Sequence, residues 1–396
     1  MSTLAVRSEA FKLALELGRP AAELEFLHAL PAEPVRQLRV ALMERLFNER
    51  ARSFRRLGWL ARWLPSWLAA WLCRYWLGPL LTARVAGEMP ARRAAAIARH
   101  ISPEFMADVG RHLDPRHARE LLPRIPVELV VAVSRVLVAR RDYVTISRFV
   151  QHLGDEVVRA VVDSMPDEAA LLEVAFYLDS KNRLDHLVGM LPPERVRKAI
   201  LIVRDPARRA LWPKILALVT NVGYARKREL GELAAAQGDE VLDAIVRAAQ
   251  EDELWEDLLP VVACLSPHTQ RRVVNLPAIR DPAVMQRLVQ AADRHLLWSA
   301  VLPLVEYMDE PVRAVLAPQA ALLDRVALER IAYAALLGEH WDTLLDLVRR
   351  MPKERQRECM DILRGYGEVD PELLARLVVR GRNYGLVLEA ARQGAA

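Results

Sequence analysis

The nonapeptide LWPKILALV at residues 211–219 returns in related form along the second half of the chain. The later copies are LWEDLLPVV (254–262), LWSAVLPLV (297–305), HWDTLLDLV (340–348) and NYGLVLEAA (383–391). Their aromatic residues follow one another at intervals of 43 residues and are Trp212, Trp255, Trp298, Trp341 and Tyr384. A fixed period of this length is typical of stacked helical repeats. The pattern therefore predicts an α-solenoid of 43-residue units over residues 141–396.

Each 43-residue unit is predicted to contain three helices, as in residues 282–295, 299–308 and 311–323. The aromatic residue opens the second helix of a unit, where the chain turns back. Tyr143 and Lys181 are assigned the same place in the earlier units, although their intervals are 38 and 31 residues. A large ring at this place can wedge between neighbouring units, so packing is its predicted role. A ladder of aromatic residues that binds a ligand is the alternative.

Composition supports an all-α fold for the whole chain. Hydrophobic residues make up 53% of the 396 residues, which argues against disorder. The chain has only 16 glycines and little of the alternating pattern that marks β-strands. Many of its 24 prolines follow a short loop, where proline suits the first turn of a helix.

A shorter repeat occupies residues 87–140, where X-Pro pairs return about every 12 residues. These pairs are Met89-Pro90, Ser102-Pro103, Asp114-Pro115 and Ile125-Pro126. The spacing predicts helices of about two turns, with Ser102 and Asp114 as N-caps. Such short helices are unstable alone in water and must stack on one another. Residues 1–56 are predicted to form two or three further helices before this region.

Residues 57–86 contain the other five tryptophans, each of which is followed by leucine. These residues are Trp59, Trp63, Trp67, Trp71 and Trp76. Their spacing places the Trp-Leu pairs on one broad helical face, with Ala, Cys and Arg on the other. Pro65 is expected to restart the helix, and Gly78-Pro79 to break it.

Positive charge is concentrated around this segment. Residues 50–100 hold ten arginines and one acidic residue, Glu88, although the whole chain has a net charge of only +5. The arginines assigned to a membrane interface are Arg55, Arg56, Arg62, Arg74 and Arg84. An amphipathic stretch rich in tryptophan and flanked by arginine is typical of helices that lie at a membrane surface.

Three other interpretations of residues 57–86 remain open: a helix in the core of the protein, a surface that binds a partner protein, and a helix that spans the bilayer. The apolar run from Leu64 to Leu81 is close to the minimum for a span and contains Arg74. Because both flanks are basic, the positive-inside preference would place both on one side. A shallow or re-entrant helix satisfies that preference, and a single span does not.

Residues 87–140 resemble the helical cytosolic domain of bacterial magnesium transporters and the related helices of the flagellar motor switch protein. The resemblance lies in MPARRAAAIARHISPEFMADVGRHLDPRHARELLPRIPVELV and implies stacked short helices. In the transporters, acidic residues sense magnesium, whereas arginine outnumbers acidic residues here. The resemblance thus implies the fold, and a magnesium-responsive regulatory subunit only as an alternative. The 43-residue region resembles the HEAT and armadillo class in unit length and helix content.

No pattern of residues predicts catalysis, a cofactor or a metal site. The nine histidines and three cysteines show neither a His-Glu-x-x-His motif nor paired metal ligands. Glycine-rich phosphate-binding loops and a Gly-x-Ser-x-Gly motif are also absent from the sequence. Nucleic acid is disfavoured as a partner because the tryptophans form a continuous face with leucine and are not interleaved with basic residues.

The sequence therefore favours a non-enzymatic scaffold or adaptor that is peripheral to a bacterial inner membrane, on its cytoplasmic side. Residues 57–86 would contact the anionic membrane surface, and the solenoid would bind a partner protein. A fully soluble scaffold is the alternative, with the Trp-Leu helix inside the fold. The sequence identifies neither the partner nor the oligomeric state.

Overall fold

The computed structural model describes residues 3–17, 19–48, 64–113, 119–165, 167–369, 375–377, 379–380 and 386. Within these residues every regular element is helical and no strand occurs, which confirms the predicted all-α class. The chain divides into two compact units, Met1–Ala199 and Ile200–Ala396. This division lies inside the region 141–396, whereas the sequence suggested boundaries after residues 56, 86 and 140.

The first unit consists mostly of short helices joined by tight turns. Its α-helices are α1 (Thr3–Leu17), α2 (Ala32–Asn48), α3 (Ser66–Leu72), α4 (Gly78–Glu88), α5 (Ala91–Ala98), α6 (Pro103–His112), α7 (Val127–Ala139), α8 (Tyr143–Val150), α9 (Asp155–Ser164), α10 (Glu168–Phe176) and α11 (Lys181–Met190). Shorter helical turns cover Ala21–Ala29, Cys73–Leu77 and Leu122–Arg124. The next helix, α12 (Pro193–Leu201), contains the boundary between the units.

Side-chain caps start several of these short helices. The Ser102 hydroxyl accepts a hydrogen bond from the backbone N–H of Phe105, which confirms Ser102 as an N-cap. Asp142 caps α8 in the same way, and Asp167 caps α10. Asp114, the other predicted cap, lies outside the described residues.

The two N-terminal helices pack on the turn that follows α10. Lys12 donates to the carboxylates of Glu9 at 2.8 Å and Asp179 at 2.7 Å, and Arg39 donates to both acids as well. The Phe11 ring stacks on Tyr177, with the ring centroids 5.8 Å apart. Both the cations and Glu9 are buried, so this network fixes α1 and α2 to the rest of the first unit.

The second unit is also built from short helices. They are α13 (Trp212–Asn221), α14 (Tyr224–Ala235), α15 (Asp239–Glu251), α16 (Trp255–Ala263), α17 (Pro267–Val274), α18 (Pro282–Arg294), α19 (Trp298–Val305), α20 (Glu310–Ala320), α21 (Arg325–Gly338), α22 (Trp341–Arg349) and α23 (Lys353–Val369). Short 3-10 turns cover Ile202–Arg204, Pro206–Leu211 and Pro277–Arg280. A helix begins at each tryptophan of the 43-residue series, as the sequence predicted.

The turn before three of these tryptophans has one geometry. The residue two positions earlier has a positive φ: 55° at Glu253, 57° at Leu296 and 56° at Glu339. The next N–H then bonds the carbonyl five residues back, as between Leu297 and Ala292 at 2.8 Å. This is the Schellman arrangement that ends a helix, and it sends the chain directly into the next one.

The same turn precedes Tyr143 in the first unit. Arg141 has a φ of 56°, and the Asp142 N–H bonds the Leu137 carbonyl at 2.9 Å. The turn before Tyr143 therefore matches the turn before the three tryptophans. Lys181 also begins a helix, but Ser180 caps that helix and no left-handed residue precedes it. A 3-10 turn leads into Trp212 instead.

Candidate membrane-interface surface

The described part of the Trp-Leu segment folds as three consecutive helical elements. Helix α3 begins directly after Pro65, as predicted, and passes into a π-helical turn at Cys73–Leu77. Gly78 follows with a φ of 70° and a ψ of 175°, a backbone conformation that residues other than glycine rarely adopt. Helix α4 then starts with Pro79 in its first turn. The predicted break at Gly78-Pro79 is thus a change of helix geometry and direction.

Aromatic side chains cover the outer side of this segment. Trp67 is 62% exposed, Trp71 47%, and Trp76 77%, and Tyr75 and Leu80 are exposed beside them. The Trp71 and Tyr75 rings are in contact, with centroids 5.4 Å apart. We call Trp67, Trp71, Tyr75, Trp76 and Leu80 the aromatic surface.

Small side chains form the inner side. Ala69, Ala70 and Cys73 are buried, and so is Ala83 on α4. Four leucines of the Trp-Leu pairs, Leu64, Leu68, Leu72 and Leu77, are partly buried and lie at the margin between the two sides. Small residues allow close packing on the helices beneath, so the indoles point away from the core.

The predicted interface arginines have different positions. Arg74 is exposed, and its guanidinium carbon lies 5.5 Å from the centre of the Tyr75 ring, within range of a cation–π contact. Arg84 is partly buried and lies near His112, whose ring it influences electrostatically. Arg74 therefore belongs to the aromatic surface, whereas Arg84 faces the neighbouring helices.

Arg93, a further basic residue near the segment, has a structural role. Its guanidinium donates to the Ser66 hydroxyl at 2.9 Å and to the Leu64 carbonyl. These bonds hold the start of α3 against α5. Trp59, Trp63, Arg55, Arg56 and Arg62, which the sequence also assigned to the interface, lie outside the described residues.

Sequence reasoning missed Tyr75 and Leu80 as members of the aromatic surface. Tyr75 follows Trp71 by four residues and Trp67 by eight, a spacing that marks one helical face. This signal is present in the sequence, but a pattern of Trp-Leu pairs does not include Tyr75. Leu80 carried no such signal, because its direction depends on the π turn and on Gly78.

The tryptophans of the 43-residue series are buried, unlike those of the aromatic surface. Trp212, Trp255, Trp298 and Trp341 are each less than 5% exposed. The indole N–H of Trp255 donates to Gln250, and that of Trp298 donates to Asp293, five residues earlier in both cases. These contacts join the start of one helix to the end of the helix before it. Tyr384 lies outside the described residues.

Neither a metal cluster nor a membrane-spanning helix is found where the structure describes the chain. No group of three or more His, Cys, Asp or Glu side chains there is placed to hold a metal ion. In the same residues no helix is both long enough and apolar enough to cross a bilayer. Cys73, Cys264 and Cys359 are free and buried, and burial raises the pKa of each thiol.

Comparison with known protein families gives no match for this chain, and comparison with curated proteins gives none either. The described residues define an all-helical protein in two units, with an exposed aromatic surface on the first unit and buried repeated tryptophans in the second.

Proposed function

We propose that the protein is a non-enzymatic scaffold that binds the cytoplasmic face of a bacterial inner membrane through its first unit. The aromatic surface supports this proposal, because its three indoles are exposed within ten residues and Arg74 lies over the Tyr75 ring. Tryptophan is enriched where a protein meets the boundary between headgroups and acyl chains. An exposed surface of this kind on a helical protein is typical of membrane or protein contact.

The expected binding is reversible. Each indole that leaves water for the acyl boundary gains on the order of 2 kcal/mol, from the apolar area it buries. An arginine near an anionic surface adds about 1 kcal/mol, and salt screens this part. Three indoles and a few arginines together give a peripheral attachment that is comparable with marginal single-chain lipid anchoring.

We further propose that the second unit is an α-solenoid of 43-residue units that binds a partner protein. Helices that begin at equally spaced tryptophans, each after the same left-handed turn in three cases, support the repeat. On α21 the side chains of Val326, Tyr333 and Leu337 are exposed at helical spacing. An apolar stripe of this kind fits a helix or strand of another protein.

Flotation with lipid vesicles tests the membrane proposal. The wild-type protein should float with vesicles that contain phosphatidylglycerol, float less with neutral phosphatidylcholine vesicles, and sink at high salt. The variant with Trp67, Trp71 and Trp76 changed to Ala should stay at the bottom of the gradient. Because these side chains are exposed, its circular dichroism and melting temperature should match those of the wild type.

A matched control changes Tyr224 and Tyr333 to Ala, since both are exposed aromatic residues of the second unit. This variant should float as the wild type does. A wild-type protein that never floats would exclude membrane binding and favour the fully soluble scaffold. A rise in melting temperature with magnesium would instead favour the magnesium-responsive regulatory subunit.

A further inference from the structure

A cavity of about 130 Å³ lies in the first unit, beside the π turn that carries Trp76. Cys73 on the π turn and Thr82 and Val85 on α4 form one wall. Val133 on α7 and Phe149 on α8 belong to the remaining walls. The π turn therefore carries Trp76 on the aromatic surface and Cys73 on the cavity wall.

The chemistry of the wall is that of hydrocarbon. Its two side-chain hydroxyls both donate to backbone carbonyls: Thr82 to Cys73 at 3.4 Å, and Ser134 to Val130 at 2.9 Å. A cavity with such a wall offers water too few partners, and it favours an apolar occupant. An engineered apolar cavity of about 150 Å³ binds benzene, so this one suits roughly six carbon atoms.

Positive charge lies next to the cavity. Leu113 and Phe149 line it, and their chain neighbours His112 and Arg148 carry basic side chains. Arg148 donates to the Leu113 carbonyl at 3.4 Å, which keeps its guanidinium at this edge.

The charges of three guanidinium groups act on the His112 ring. Desolvation, then Arg111, Arg84 and Arg148, lower the pKa of His112, while Asp108 opposes them. Arg111 also pairs with Asp142 at 2.6 Å. This edge of the cavity therefore carries three arginines and the carboxylates of Asp108 and Asp142. Because the positive charges outnumber the negative ones, the edge favours an anion.

We propose that this cavity binds the end of one acyl chain of an anionic amphiphile, whose headgroup pairs with Arg84, Arg111 and Arg148. Free fatty acids and membrane lipids share this chemistry. The choice of an acyl chain over other apolar groups rests on the proposed membrane contact of the aromatic surface. The apolar wall and the basic edge are independent of that contact.

A second cavity of the first unit fits such a ligand less well. It measures about 210 Å³, and its wall includes the charged residues Arg159 and Asp163. A hydrocarbon chain there would take charge out of water, which costs free energy. This second cavity provides the control for the first.

Calorimetric titration of the full-length protein with dodecanoate, below its micelle concentration and without vesicles, tests the proposal. We expect saturable binding of one dodecanoate per chain and several-fold weaker binding of dodecanol, which lacks the negative charge. Val133→Phe fills the first cavity and should weaken dodecanoate binding at least tenfold. Val162→Phe makes the same exchange at the second cavity and should leave binding unchanged.

Arg148→Gln provides a test that does not alter the cavity. It should weaken dodecanoate binding several-fold and leave dodecanol binding unchanged, while the melting temperature stays near that of the wild type. Absence of saturable dodecanoate binding to the wild type overturns the proposal. Equal affinities of the wild type, Val133→Phe and Val162→Phe overturn it as well.

Flotation separates this proposal from the membrane proposal. If the wild type floats but does not bind dodecanoate, only the acyl site is wrong. If it binds dodecanoate but never floats, the acyl site stands and the membrane contact is wrong. If the wild type both binds dodecanoate and floats, the flotation of Val133→Phe identifies the natural ligand. Normal flotation of this variant indicates a free fatty acid, and reduced flotation indicates a lipid of the bilayer.

Discussion

The left-handed residues before the repeated helices show what a single position contributes. Glycine is the usual residue at such a φ, because any other side chain meets its own backbone there. Here the positions hold Arg141, Glu253, Leu296 and Glu339. The sequence predicted a turn before each tryptophan from the period, but no glycine marked the turn's geometry. Only the backbone of the folded chain identifies these residues as left-handed.

Leu296→Gly should stabilise the protein. A non-glycine residue in the left-handed region destabilises the folded state by roughly 1–2 kcal/mol. Glycine removes this strain, but its greater flexibility also stabilises the unfolded chain and offsets part of the gain. Because the Leu296 side chain is exposed, its loss removes little packing. We expect a gain of about 0.5–1 kcal/mol in the free energy of unfolding, measured by denaturation in guanidinium.

Leu296→Val is the matched comparison. A β-branched side chain is the least compatible with a left-handed backbone, so this variant should be less stable than the wild type. If valine and glycine gave equal stability, strain at Leu296 would be negligible and the explanation of the turn would be wrong.

At the scale of one element, the segment from Pro65 to Glu88 illustrates what a periodic pattern leaves undecided. The sequence predicted that the tryptophans lie on one face of a helix, because most of them are four residues apart. Whether the face points inward or outward depends on what packs against the opposite side. Ala69, Ala70 and Ala83 are buried, and their small volume lets α3 and α4 approach the helices beneath. That contact depends on tertiary packing, which no local pattern specifies.

The packing of α1 and α2 on the rest of the first unit could not be predicted from the sequence either. Lys12 and Arg39 meet Asp179, which lies 167 and 140 residues further along the chain. Desolvation alone would raise the pKa of Asp179, but the charges of Lys12 and Arg39 outweigh it and hold that pKa below its usual value. Charged residues give no periodic signal for a partner so far away.

Asp179→Asn should destabilise the packing of α1 and α2. The substitution removes the charge that Lys12 and Arg39 share, at a cost of about 1.5–3 kcal/mol at pH 7. Because the pKa of Asp179 is lowered in the folded protein, its contribution is complete above the unfolded pKa of about 3.9 and is lost as the pH falls from there through the lower folded pKa. Thermal unfolding from pH 7 to pH 3 should show the wild type and the variant converging at acidic pH.

Asp163→Asn is the control for this comparison, because Asp163 is an exposed acid of the same unit. Its effect on stability should stay within about 0.5 kcal/mol at every pH. A constant difference between wild type and Asp179→Asn across the pH range would contradict the electrostatic explanation.

At the scale of the whole molecule, the division into Met1–Ala199 and Ile200–Ala396 was not visible in the sequence. The sequence assigned Tyr143 and Lys181 the place of the tryptophans despite their shorter intervals, and so suggested one continuous region from residue 141. A repeat in the sequence shows which segments resemble one another. The boundary of a compact unit depends instead on which segments contact one another in the folded chain. The two need not share a boundary.

We expect the two units to unfold in separate steps. Four buried tryptophans report on the second unit by fluorescence, and circular dichroism reports on helices in both units. In a variant with Trp59 and Trp63 changed to Phe, the remaining tryptophans of the first unit are exposed and should change emission little. The fluorescence and dichroism midpoints in guanidinium should therefore differ, whereas coincident midpoints would indicate a single cooperative unit.

The recurring left-handed turn has a consequence for how the length of this protein can change. Leu254 and Leu297 hold the same place, each between a left-handed residue and a tryptophan that opens a helix. Loss of residues 255–297 by recombination would join Leu254 to Trp298 at a junction of the same shape. Recombination between such positions would shorten or lengthen the second unit by 43 residues and leave the left-handed turns unchanged.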